Sequence, residues 1–264
     1  MLPPDFAAAS DEAWSKVRAT TGFLTEREAR FLLLAAAAAP AEGAILEIGS
    51  FKGRSTVGLA TIARRYGLGK VVAVDPHTAP SITDPSLRGK SSTFDDFQAN
   101  LRAAGAEEMV EIHRAFSQDL ARSWNRPLRL LWIDGDHTFA GAKRDLDCYR
   151  PFLAPGAIVA LHDALSNFDG PIRVMVESLL ASDEFGPAGF HGSIAWAQYR
   201  PADGARFRAD RQALAARARR LIPFVQEGRP LTGLRRLRFK AWRALVPHGD
   251  VDAAAWVKRV TLGA

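Results

Sequence analysis

One cysteine in 264 residues leaves no partner for an intramolecular disulfide, and Cys148 falls inside a helical pattern where packing is its expected role. A reducing, cytoplasmic setting is the expectation that follows. The longest apolar run, Phe31 to Ala39, is nine residues and rich in alanine, too short to cross a bilayer. The opening stretch MLPPDFAAASDEAW has acids but no basic region ahead of an apolar core, so it does not read as a secretory leader. No internal repeat is evident. Excess charge is missing from most of the chain: residues 1–200 hold 21 Lys or Arg against 24 Asp or Glu. The net +6 therefore comes from the last quarter, where 14 basic groups face 5 acidic ones. Partners suggested by a high isoelectric point concern that end and not the body.

Short apolar runs alternate with helical patterns. Residues 11–20 and 25–39 read as helices, the second with Thr25 and Glu28 at capping-box spacing and Pro40 as its stop. AILEI (44–48), KVVAVD (70–75), MVEIHRA (109–115), LRLLWI (128–133) and AIVALH (157–162) read as strands, the last after a turn at Pro155-Gly156. Helices are expected over 55–66, 93–104, 139–150 and 171–181, a long loop over 79–91, and an antiparallel pair over 185–200. Strands alternating with helices imply a parallel sheet covered on both faces, with ligands beyond the carboxyl ends of the strands.

Two features at those strand ends carry chemistry. The first strand runs into Glu47-Ile48-Gly49-Ser50-Phe51-Lys52-Gly53 and then a helix. Its glycines permit a sharp turn and a close backbone approach. The Gly-x-Gly-x-x-Gly dinucleotide fingerprint is absent; the spacing is acid-x-Gly-x-x-x-Gly. Ser55 stands at the helix start, where free amides favour a carboxylate or phosphate. Asp75 ends the second strand and can accept from both hydroxyls of a ribose. The second feature is a pair of strand ends, Asp134 with His137 three residues on, and His162-Asp163.

The turn resembles motif I of class I S-adenosylmethionine-dependent methyltransferases. The run IDGDHTFAGAKRDLDCYRPFLAPGAIVALHD is similar to the macrocin and catechol O-methyltransferase-like branch. The resemblance covers roughly residues 40–200. It implies a Rossmann-like α/β fold with a mainly parallel seven-stranded sheet (41–200), and the helical patterns on either side read as N-terminal helices (1–40) and a basic helical extension (201–264). It implies S-adenosylmethionine held by Glu47, Gly49, Ser50, Gly53, Ser55, Asp75, Ser117 and Asp134, with Ser117 near the adenine or capping a helix. It also implies a divalent cation, magnesium in most relatives, at the places of Asp134, His162 and Asp163. Carboxylates suit a hard cation. His162 departs from the all-oxygen pattern, and either shifts the preference toward manganese or points elsewhere and leaves its place to water. In catechol-type relatives a lysine sits at the offset of His137 and takes the acceptor's proton, work an imidazole can do near neutral pH.

The implied reaction is O-methylation of a small molecule or saccharide, a sugar hydroxyl being favoured. IDGD after the fourth strand is not the Asn/Asp-Pro-Pro-Tyr type expected for an amino-group target. An RNA methyltransferase, or a methyltransferase-like scaffold whose basic end works on membrane or nucleic acid, is the alternative. In that end, Leu234, Leu237, Ala241 and Leu245 share a helical face with Phe239 and Trp242 at its edges. It suits an anionic membrane or acidic partner, and packing on the catalytic domain or a second subunit is favoured. The segment with Trp256 is expected to dock similarly, and His77 to be a solvated loop histidine.

Overall fold

Strands apolar on both faces have to be covered on both, and that requirement sets the layers of this chain. The structure, a computed structural model, describes residues 1–78, 92–226 and 231–261. One sheet holds β1 (Ala44–Ile48), β2 (Val71–Val74), β3 (Val110–His113), β4 (Leu128–Ile133), β5 (Leu153–Leu161), β6 (Phe185–His191) and β7 (Ile194–Tyr199). Their order is β3-β2-β1-β4-β5-β7-β6, and β7 runs antiparallel to both its neighbours while the rest pair parallel. The described helices are α1 (Phe6–Val17), α2 (Glu26–Ala38), α3 (Arg54–Tyr66), α4 (Phe94–Ala104), α5 (Ser117–Ala121), α6 (Phe139–Tyr149), α7 (Asp169–Val174), α8 (Arg208–Ala218), α9 (Ile222–Val225), α10 (Gly233–Ala244) and α11 (Ala253–Thr261).

Alternation along β4 divides the core in two. Leu131 and Ile133 enter the layer with Leu146 of α6 and Ala218 of α8. Leu130 and Trp132 enter the opposite layer with Leu32 of α2, Leu59 of α3 and Trp256 of α11. Class I methyltransferase folds are built this way, as the resemblance implied. The capping box also forms: Thr25 and Glu28 satisfy each other's backbone at the start of α2.

Three elements differ from their expected bounds. The first helix runs from Phe6 to Val17, ahead of the expected 11–20. β5 begins at Leu153, and Pro155-Gly156 lies inside it. The ladder absorbs the dipeptide by a register shift, from Leu128 opposite Leu153 to Leu130 opposite Ile158, with Gly156 at φ +91°. The helix expected over 171–181 starts at Asp169 and ends in a π-helical turn, Met175–Leu179. The expected loop at 79–91 lies outside the described residues.

The two apolar helices of the basic end have opposite fates. α11 docks: Trp256 is buried, edge-on to Phe31 at 5.8 Å between ring centroids and to Trp196 at 5.4 Å. Gln198 Nε2 of β7 donates to Val260 O at 2.9 Å, and Arg259 to Ala188 O of β6 at 2.7 Å. α10 buries Phe239 alone and leaves its leucines in solvent, so that face does not pack on the chain's own described residues. Trp256→Ala should therefore cost about 3–5 kcal/mol in urea unfolding, the range for deleting a buried tryptophan. Leu237→Ala on α10 should stay within about 0.5 kcal/mol of wild type.

Candidate active site

Parallel pairing fixes what meets at the C-terminal edge of the sheet. Ile48 stands opposite Val74 and Ile133, and Ile133 opposite Leu161. The residue after each strand, Gly49, Asp75, Asp134 and His162, therefore falls in one row. Backbone bonds continue past the strand ends: Gly49 N donates to Val74 O at 3.0 Å, Asp134 N to Ile48 O at 2.8 Å and His162 N to Ile133 O at 3.0 Å.

Gly49 has φ +86°, and a Cβ there would overlap the carbonyl of Asp134. Glycine is what lets the turn pass so near the row. Gly53, at φ +87°, is the N-cap of α3 and offers no capping side chain. Asp75 closes the turn from the far side: its carboxylate accepts from Phe51 N at 2.8 Å and His77 N at 2.7 Å. Two of its roughly four lone-pair sites are used, and the rest are left for a diol. Glu47 is wholly buried under the turn, with Thr56 of α3 donating to Oε2 and the hydroxyl of Ser55 beside it. Glu47 Oε1 and Ser50 Oγ are buried without a hydrogen bond. Such orphaned acceptors fit an ammonium group, the amino end of the cofactor implied for this turn.

The second half of the site is a row of alternating acids and imidazoles. His162 Nδ1 lies 3.0 Å from Asp134 Oδ1, and its Nε2 lies 3.8 Å from Glu28 Oε2. His137 Nε2 is 3.5 Å from both Asp134 Oδ1 and Asp163 Oδ2. The sequence Glu28–His162–Asp134–His137–Asp163 thus spans α2, β5, β4 and the loops beyond them. Burial works against every charge in it, and the neighbours overcome burial. The carboxyl of Asp134 is held at about 2 by His162 and His137. Glu28 is held well below the carboxylate range by His162, Ser193 and Thr25. His137 is raised to about 9 by Asp134 and Asp163, and His162 is raised well above the ordinary imidazole value.

Asp134, His162 and Asp163, the expected ligands of a cation, do come together, but as hydrogen-bonding and ionic partners of one another. Among the described residues no three such side chains converge on one point as an ion's ligands do. The arrangement as it stands does not fit a divalent cation.

Glu28 is the site residue that sequence reasoning missed. Thr25 at its N-cap spacing explained it fully as a cap, and nothing local signals its second task. The turn between β6 and β7 completes its shell: Ser193 N and Oγ donate to Oε1 at 2.8 and 2.6 Å. Ser117 does not cap a helix, and His77 is not a solvated loop residue. Ser117 is the first residue of α5, after N-cap Phe116, and its hydroxyl donates to Asp145. His77 is buried, with Nδ1 2.9 Å from Thr93 Oγ1 and its ring against Phe94 and Phe97.

Residues 46–164 match the family described as a methyltransferase domain. Among solved structures, cofactor-bound Rv0187 from MTB superposes with a TM-score of 0.52 at 20% identity, covering 76% of this chain and 91% of that one. An O-methyltransferase from Bacillus cereus in complex with SAH gives 0.51 at 18% identity, with 76% and 93% covered. The O-methyltransferase TomG from Streptomyces achromogenes, involved in tomaymycin synthesis and in complex with SAM, gives 0.50 at 17% identity, with 76% and 91% covered. At these identities the likeness is one of fold.

Burial pushes the carboxyl of Glu47 up to about 7, against the hydroxyls of Ser55 and Thr56. The folded chain therefore keeps a proton that the unfolded chain releases at lower pH. This group's contribution to stability falls as pH rises from the ordinary glutamate range to about 7, and is level above it. Glu47→Gln removes that slope. Relative to wild type, the variant should gain about 2–3 kcal/mol between pH 5 and pH 8 in urea unfolding.

Proposed function

We propose, from the match of residues 46–164 to a methyltransferase-domain family, that this chain is an S-adenosylmethionine-dependent enzyme that methylates a hydroxyl oxygen of a small molecule or saccharide, with His137 as the proton acceptor. The observation that carries the reading is the juxtaposition at the sheet edge. A glycine turn with orphaned acceptors lies one strand away from an imidazole held between two carboxylates.

Bound at the turn, S-adenosylmethionine supplies an electrophilic methyl on a sulfonium, leaving a neutral thioether once the methyl has gone. Glu47 and Ser50 receive the amino end, and Ser55 at the start of α3 meets the carboxylate. Asp75 takes the ribose hydroxyls with its remaining lone pairs. Gly49 keeps the backbone flat enough for the reacting centre to approach Asp134. Ser117 sets the first turn of α5, which borders the adenine side.

His137 does the proton work. Its ring lies against Phe168 at 4.4 Å between centroids, which fixes its plane. Nε2 faces Asp134 and Asp163, and both stabilise the imidazolium that forms when the acceptor's O–H gives up its proton. The same acids make His137 a stronger base than a free imidazole. That strength suits an aliphatic alcohol such as a sugar hydroxyl better than an already acidic phenol. Orientation of the oxygen toward the methyl supplies much of the remaining rate.

His137→Gln is expected to lower kcat by about 10²–10⁴-fold while leaving cofactor affinity by calorimetry within about twofold. The wild-type rate should climb with pH until His137 loses its proton, at about 9. A variant that loses affinity and rate together would remove His137 from the proton-accepting role. Activity after chelation with EDTA and desalting should stay within about twofold, since His137 and its two carboxylates take the acceptor's proton without help from a cation. A collapse restored by magnesium or manganese would instead assign Asp134 and Asp163 to metal binding.

A further inference from the structure

Helix α10 is amphipathic twice over. Its inner side is Phe239, buried and 6.1 Å from Phe224 between ring centroids, with Trp242 half-buried beneath the guanidinium of Arg220. Arg235 ties the same side down by donating to Phe224 O at 2.6 Å. Its outer side carries a second apolar stripe. Leu234, Leu237, Ala241 and Leu245 fall within about 80° of arc at 3.6 residues per turn, roughly opposite Phe239. The three leucines are 68%, 64% and 54% exposed. These are half of the large hydrophobic residues exposed among the described residues, and they lie on one helix of three turns and its C-cap, Leu245. Arg238 borders the stripe on one side and Lys240 on the other, and Arg236, Arg219 and Arg220 are exposed nearby in sequence.

We propose that this face of α10 is a docking surface for an anionic lipid bilayer. The leucine stripe would enter the headgroup boundary while Arg238 and Lys240 on its two borders meet lipid phosphates. Charge complementarity selects the occupant. The segment from Pro201 carries 14 basic against 5 acidic groups, and each basic residue near an anionic surface adds to attraction. A second copy of the chain would bring the same basic border against itself. A nucleic acid would use the arginines but has no place for three aligned leucines. A bilayer interface uses both, and it needs no transmembrane helix; none of the described helices is long and apolar enough to be one.

Co-sedimentation of the full chain with vesicles tests this, using phosphatidylcholine alone or with a third of phosphatidylglycerol. Wild type should partition onto the anionic vesicles, weakly onto neutral ones, and less as salt rises. Leu234→Gln with Leu237→Gln and Leu245→Gln should weaken partitioning at least about tenfold, and so should Arg238→Glu with Lys240→Glu. All five positions are exposed, so both variants should melt as wild type does. The proposal fails if wild type stays in the supernatant at low salt. It fails equally if the leucine variant binds like wild type, which would mean adsorption by charge alone. Sedimentation velocity showing a dimer that the leucine variant disperses would hand the face to a second copy.

Discussion

A histidine ring buried at the end of β5 between two carboxylates is the constraint around which the site is arranged. Taking an imidazolium out of water is tolerable only beside carboxylates with their own remaining lone pairs filled. His162 has Asp134 on one nitrogen and Glu28 near the other. Glu28 in turn needs Thr25 from its own helix start and Ser193 from the β6–β7 turn. One buried ring and its carboxylate partners thereby tie an N-terminal helix, two central strands and the terminal hairpin into a single unit. Removing any one partner leaves the others desolvated and unpaired, which is why such rows fail together.

That unit draws segments outside residues 46–164 into the candidate site. The helix carrying Glu28 is braced by Arg27, whose Nε is 2.6 Å from Asp250, and by His191, whose Nε2 lies 3.1 Å from Arg27 O. The ring of His191 stacks on Phe31 at 4.9 Å. Phe31 also meets Trp256, so α11 supports the same helix from below. The position of Glu28, and through it the orientation of His162 and Asp134, depends on the chain returning from its basic end to cover α2.

Legibility in the sequence followed the range of the forces involved. The strand cores, the glycine turn and the strand-end acids were readable because each is decided by neighbours within a few residues. AILEI has to be a buried strand, and Gly49 has to be glycine once the strand ends beside another strand's carbonyl. Glu28 was half legible: its cap is local, but its contact with His162 spans 134 positions of chain and leaves no periodicity. Pro155-Gly156 reads as a turn by itself, and only pairing with β4 pulls it into a strand. His77 looked like a loop histidine because the sequence does not show Phe94 and Phe97 closing over it. The alternation of acid and imidazole was visible as residue types, and its protonation was not, since that depends on which nitrogen faces which oxygen.

Helices α10 and α11 show the same limit from the surface. Both are short, both carry a tryptophan and both contain lysine and arginine, so composition treats them alike. α11 sets Trp256, Val257 and Val260 on one side, and that side closes over Phe31 and Trp196. α10 turns its aromatic residues toward the protein and sets its leucines on the far side, where no described residue covers them. A helix needs one apolar face to dock on its own domain. A second apolar face, bordered by cations, has no stabilising role within the fold and exposes leucine to water at a cost. Among the described residues nothing covers it, and its basic border is what the proposed anionic bilayer would meet.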